Sequence, residues 1–200
     1  MHFTVEAQKF AMPYLTVGSI AIDATCGNGF DTLFLAEQVG RTGVVYGIDI
    51  QERSIETVRG KLLERGEQSQ CRLFVGSHEH LSTMVEPVHA GLVSVVMFNL
   101  GYLPTGDKSI VTGSETTLKG LQQAFELIRT GGLISVLAYP GHPGGWEEVR
   151  SVANWIEQNA FAMQVGKFQD PNNVNSPILW TLNKSDVQPT PPTRMSSAFT

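Results

Sequence analysis

One short stretch limits the fold of this chain more than any other: Ile20-Ala-Ile-Asp23-Ala-Thr-Cys26-Gly27-Asn28-Gly29-Phe-Asp31. An apolar run suited to a strand enters a turn of small residues, and a segment with helical spacing follows at once. Leu33, Leu35, Ala36 and Val39 fall on one face of that segment. Two glycines let the backbone take torsions closed to other residues and approach a ligand closely. The start of the helix presents N–H groups with no partner inside the helix.

The rest of the chain repeats this alternation. Short β-rich apolar runs predict strands over 19–24, 44–49, 72–75, 92–98, 132–138, 162–168 and 178–183. Helical spacing predicts helices over 4–14, 31–39, 53–65, 79–85, 115–128 and 146–159, with Gly131-Gly132 closing the fifth. Such alternation implies an α/β fold, a mostly parallel sheet covered on both faces. Residues 170–177 leave no room for a helix between the last two strands, so these pair antiparallel as a hairpin. Seven mostly parallel strands ending in an antiparallel hairpin are the plan of the Rossmann-like, class I methyltransferases. The expected domain is 1–184; residues 185–200, polar and proline-rich, read as a disordered tail.

Composition narrows the class. Two hundred residues fit one domain, and 42% hydrophobic with 16% charged is an ordinary globular balance. No run of about 18 apolar residues suggests a membrane span, and the first residues lack a secretory pattern. Cys26 and Cys71 are the only cysteines, too few for a disulfide framework, so a reducing, cytoplasmic compartment is expected. A formal charge of -5 argues against holding nucleic acid by bulk electrostatics, though not against a local basic patch.

Glycine turns of this kind serve two cofactor classes. A dinucleotide fold needs Gly-x-Gly-x-x-Gly, and here the third glycine position is Thr32. A carboxylate at Asp23, ending the first strand, repels a pyrophosphate but suits the cationic methionine part of S-adenosylmethionine. Asp49 ends the second strand about 20 residues past the turn, where it accepts ribose hydroxyls. Its other reading is a cap on the helix beginning near Arg53. Gln51 follows in place to touch the adenosine. Asp31 has two readings, ligand contact and helix N-terminal residue. Cys26, Gly27, Asn28 and Gly29 complete the turn. After the third strand, Ser77 and His78 flank the adenine in this fold. His78-Glu79-His80 lacks the His-Glu-x-x-His spacing, and no cysteine cluster lies near, so no metal is expected.

The fourth strand ends in Asn99-Leu-Gly-Tyr102-Leu-Pro, at the switch point where chemistry is expected in such sheets. Amino methyltransferases often carry Asn/Asp-Pro-Pro-Tyr here, and Asn99 is placed to orient an amine; Asn99 and Tyr102 otherwise only shape a turn. Tyr139-Pro-Gly-His142-Pro-Gly-Gly145 follows the fifth strand on the same side, bordering an acceptor pocket or forming a plain turn.

Three motifs together (Asp-Ala-Thr-Cys-Gly-Asn-Gly-Phe-Asp-Thr from Asp23, Phe-Asn-Leu-Gly-Tyr-Leu-Pro-x-Gly-Asp-Lys from Phe98, and Tyr139–Gly145 with a later glutamate) resemble the bacterial YtqB-like family, described in older usage as rRNA methylases. The resemblance runs over roughly residues 1–184. Where family members often carry Asn-Pro-Pro before the last strand, this chain has Asn172-Asn-Val-Asn-Ser-Pro177. The better-defined members methylate 5-aminomethyl-2-thiouridine at the tRNA wobble position. The resemblance therefore implies S-adenosylmethionine as cofactor, the tRNA anticodon region as partner and direct transfer to an amine. It implies Asn99 and Tyr102 as acceptor contacts, Asp107 or His142 (or water) as proton acceptor, and a homodimer as in related small RNA methyltransferases. Lys108, Lys119 and Arg150 are the candidate phosphate contacts. Rival readings are an rRNA or small-amine acceptor, a binding module without transfer, and, least favoured by Thr32, a nicotinamide dehydrogenase.

Overall fold

The computed structural model describes residues 2–101 and 112–186. Strands β1 (Ile20–Asp23), β2 (Val44–Asp49), β3 (Cys71–Val75), β4 (Val93–Leu100), β5 (Ile128–Ala138), β6 (Met163–Phe168) and β7 (Ile178–Lys184) form one sheet in the order β3-β2-β1-β4-β5-β7-β6. The pairs among β1 to β5 run parallel, while β7 lies antiparallel to both β5 and β6. The hairpin expected from 170–177 is therefore present, with its second strand placed inside the sheet.

Helices α1 (Phe3–Ala11), α2 (Phe30–Val39) and α3 (Glu52–Arg65) cover one face; α4 (Leu81–Met84), α5 (Ser114–Leu127) and α6 (Gly145–Asn159) cover the other. Successive strand residues point to opposite faces, so each central strand serves two cores. On β4, Val95 and Met97 join α1 to α3, whereas Val96, Phe98 and Leu100 join α4 to α6. Burial on both sides explains why these strands read as continuous apolar runs rather than alternating ones.

Three expectations are corrected. The helix over 4–14 stops at Ala11 and tightens into a 3₁₀ turn through Pro13, which has no N–H to donate. The helix over 79–85 is a 3₁₀ turn, His78–His80, then only the four residues of α4. There the Ser77 hydroxyl accepts the Glu79 N–H, and the chain is already extended at Val85 and Glu86 before Pro87. Gly131-Gly132 does not close α5. The helix ends at Leu127, and Gly131, with φ +69°, lies within β5, where the register jumps from Val93↔Ile128 to Val95↔Leu133. The glycine absorbs a bulge in a strand instead of a helix end.

Candidate active site

A cavity of about 630 Å³ opens at the carboxyl ends of β1, β2, β4 and β5, where the strand order reverses between β1 and β4. Most of the residues singled out from the sequence line it: Cys26, Gly27, Asn28 and Asp31 from the turn, Asp49 and Gln51 after β2, Ser77 and His78 after β3, Asn99 at the end of β4, and His142 after β5. Tyr102 and Asp107, with Lys108, lie outside the described residues.

Asp49 organises one end. Its Oδ2 accepts the Gly27 N–H at 2.7 Å and its Oδ1 accepts the Gln51 N–H at 2.8 Å. The residue therefore ties β2 to the glycine turn, and it does not cap α3, whose N-cap is Gln51. Each carboxylate oxygen can accept more than one donor, so both retain capacity for hydroxyl groups in the cavity. Beside it, His78 is 7% exposed, stands edge-on to Phe98, and has no partner for Nε2 among the described residues. Burial pushes its pKa down to about 4, so the ring is neutral at neutral pH.

Asp31 organises the other end. It sits in the first turn of α2, is buried, and accepts the Gln8 amide at 2.8 Å. Burial raises its pKa, and the side-chain amides of Gln8 and Asn99 pull it back down. An amide that lowers a carboxyl pKa does so through its N–H, which sets the Asn99 side chain close to Asp31. Its backbone is fixed as well, because Asn99 N–H donates to Thr25 Oγ1 at 2.7 Å. Tyr139 lines the cavity nearby with Thr4 of α1; burial raises its pKa. His142 Nδ1 lies 3.0 Å from the Pro143 carbonyl.

Two sequence assignments change. Asp23 does not line the cavity: it is fully buried beneath the turn, accepting the Thr25 N–H at 3.2 Å and the Thr32 hydroxyl at 2.6 Å. Its carboxylate braces the turn from below, and the cavity-facing carboxylates are Asp31 and Asp49. Gly29 also lies off the cavity. It starts α2 with φ +84°, and a Cβ there would meet Val58 Cγ2 at 3.0 Å. Of the candidate phosphate contacts, Lys119 is engaged with Glu115 at 2.8 Å and Glu79 at 3.4 Å, and Arg150 is exposed on α6.

Thr4, Gln8 and Thr25 escape sequence reasoning. Thr4 and Gln8 are spaced i, i+4 and share one helical face, which marks a polar patch on α1. Only the docking of α1 against α2 and β5 shows where that patch points.

The buried carboxyl of Asp23 makes a prediction. Burial first, then the charge of Asp31, raise its pKa from 3.8 to about 7. A carboxyl with a raised folded-state pKa holds its proton longer in the native state, so it costs stability as pH rises from about 3.8 to about 7. Melting temperature should fall as pH is raised from 5 to 8, and Asp23→Asn should flatten that slope. Parallel slopes for the two proteins would show that Asp23 is already ionised in the fold.

The cysteine at the site is held as the protonated thiol. Burial and the Asp23 charge hold the Cys26 thiol well above its ordinary pKa. Among the described residues no three His, Cys, Asp or Glu side chains gather as a metal site. No helix there is long and apolar enough to cross a membrane.

A sheet of this order, with an acid-lined glycine turn at its switch point, defines the Rossmann-like fold of class I methyltransferases. The family model described as "Putative rRNA methylase" matches residues 45–184, and the chain belongs to that family. It is 41% identical over 180 residues to the chloroplastic tRNA (mnm(5)s(2)U34)-methyltransferase of Arabidopsis thaliana, covering 81% of this chain and 62% of that protein. The present chain thus spans less than two thirds of that relative's length. Among solved structures, a "putative rRNA-methylase" from Clostridium thermocellum shares 36% identity with TM-score 0.85, covering 90% of this chain and 96% of that one. A "putative methyltransferase" from Streptococcus mutans, in complex with SAH, shares 30% identity with TM-score 0.78, covering 90% and 97%.

Proposed function

We propose that this protein transfers a methyl group from S-adenosylmethionine to the amine of 5-aminomethyl-2-thiouridine at the tRNA wobble position. The observation that carries this reading is Asn99. It stands at the end of β4 in the same cavity as Asp49 and beside Asp31, and no residue among those described donates a hydrogen bond to its Oδ1. The relative from Arabidopsis, whose name states a tRNA wobble-uridine methyltransferase, supports the same acceptor.

The residues present fit the methyl donor. Asp49 offers acceptor capacity to ribose hydroxyls, His78 and Ser77 border the region expected for the adenine, and Asp31 places negative charge where an ammonium and a sulfonium are to be held. When bound, S-adenosylmethionine supplies an electrophilic methyl group. Asn99 Oδ1 accepts one hydrogen of the acceptor amine and so turns the nitrogen lone pair toward that methyl. A neutral amine is already a good nucleophile, so positioning is the main task of the protein. His142 borders the acceptor end and is the candidate acceptor for the proton of an alkylammonium. The anticodon region of tRNA as partner, a homodimer, and the cytoplasm as compartment belong to the same proposal.

Purified protein is incubated with labelled S-adenosylmethionine and tRNA from cells lacking the wobble methylation, and the nucleosides are analysed by mass spectrometry. The expected result is one added methyl on 5-aminomethyl-2-thiouridine. Label in another nucleoside, or none in this one, overturns the substrate assignment. Sedimentation at the monomer mass would overturn the dimer.

A further inference from the structure

We infer that Glu148, a buried carboxylate outside the cavity, is a positioning residue that holds the acceptor end of β4 in place through Thr112. Glu148 lies in the first turn of α6 and is 2% exposed. It makes no ion pair with Lys, Arg or His among the described residues. Burying an unpaired carboxylate is costly unless its oxygens are hydrogen-bonded, and both are. Thr112 Oγ1 donates to Oε2 at 2.7 Å, and Thr117 Oγ1 donates to Oε1 at 2.7 Å.

Thr112 carries the effect to the site. Its hydroxyl, donating to Glu148, accepts the Gly101 N–H at 2.8 Å; its own N–H donates to the Gly101 carbonyl at 2.9 Å. Gly101 is two residues beyond Asn99. The last residues of β4 are thus pinned at two points, Asn99 N–H on Thr25 and Gly101 on Thr112. The chain of donors Gly101 N–H, Thr112 O–H runs one way and ends on an acceptor. Without Glu148 the Thr112 hydroxyl is free to rotate away from that arrangement, and the hold on Gly101 loosens. Displacements of about 1 Å in a positioned group cost transfer rate out of proportion to binding.

The kinetic side of this inference rests on the proposed methyl transfer; the structural side does not. Glu148→Leu, which keeps the site filled but removes the acceptor, should lower kcat about tenfold with KM for S-adenosylmethionine within about twofold. Thr112→Val should do the same, Thr112→Ser should recover most of the loss, and Glu148→Leu combined with Thr112→Val should be no worse than either alone. Losses that multiply in the double variant, or an unchanged kcat in Thr112→Val, overturn the inference. If Glu148→Leu does not fold, the comparison of Thr112→Val with Thr112→Ser decides. Amide hydrogen exchange at Gly101 gives a second readout, expected to quicken about tenfold in Thr112→Val and not in Thr112→Ser. If the parent protein fails to methylate the wobble nucleoside, the substrate reading falls, and an unaltered Gly101 exchange rate would still overturn the hold by Glu148 and Thr112.

Discussion

Asn99→Ala is expected to lower methyl transfer at saturating cofactor by about 100-fold, the scale on which a misplaced reactant costs rate. The dissociation constant for S-adenosylmethionine should move by less than about threefold, because the contacts proposed for the donor lie on Asp31, Asp49, Ser77 and His78. The asymmetry is the informative part. Asp31 keeps its hydrogen bond from Gln8 when the Asn99 amide is removed, so the carboxyl stays in place. Asn99→Asp sharpens the test by setting a second carboxylate against Asp31, which should raise the pKa of the pair and shift the pH optimum of the residual activity upward. Equal losses in transfer and cofactor binding after Asn99→Ala would make Asn99 a structural residue of the cavity wall.

The second large effect is expected at Asp49, with the opposite signature. Asp49→Ala removes the proposed ribose acceptor and also leaves the Gly27 and Gln51 N–H groups without their present partner. The lost ligand contact, with the turn no longer held in shape by those two bonds, should weaken S-adenosylmethionine binding by about 100-fold. Asp49→Asn should rescue little, although it is nearly isosteric. Two N–H donors face the two carboxylate oxygens, and an amide presents its own NH2 to one of them. Titration calorimetry with S-adenosylhomocysteine measures this without catalysis. Affinity in Asp49→Asn within about threefold of the parent would show that the carboxylate is not the anchor.

Much of the architecture was legible because burial on both faces leaves its mark on each strand, and small residues mark the turn into α2. The parallel run of β1 to β5 and the antiparallel end follow from which connections have room for a helix; the order of the strands does not. Asp23 lies beneath the turn, off the cavity, for a reason that strand geometry makes plain. Along β1, Ala21 and Asp23 share one face and Ile22 takes the other. Ala21 packs with α2, so Asp23 points under the turn to Thr32 rather than out to a ligand. The identity of the residue suggested a ligand contact, and its parity in the strand decided otherwise. Gly131 shows the same gap between composition and context: a glycine pair near a helix end can close the helix or absorb a bulge, and both need positive φ. Gln8 and Glu148 act on the site across 23 and 36 residues of sequence, reaching Asp31 and Thr112. No local pattern records such pairings, since they arise only when α1 docks on α2 and α5 on α6.

The position of β7 bears on how the chain is made. A ribosome delivers strands in sequence order, and domains commonly begin to fold as they emerge. Here the strand delivered last among the described residues is an interior one, seated between β5 and β6. Until Ile178–Lys184 clears the exit tunnel, β5 ends the nascent sheet with an unpaired apolar edge, and β6 has no neighbour at all. Exposed edges of that kind invite pairing with other chains. A stalled or prematurely terminated product is consequently a sticky species, and a cell gains from finishing this protein quickly once β6 has been synthesised.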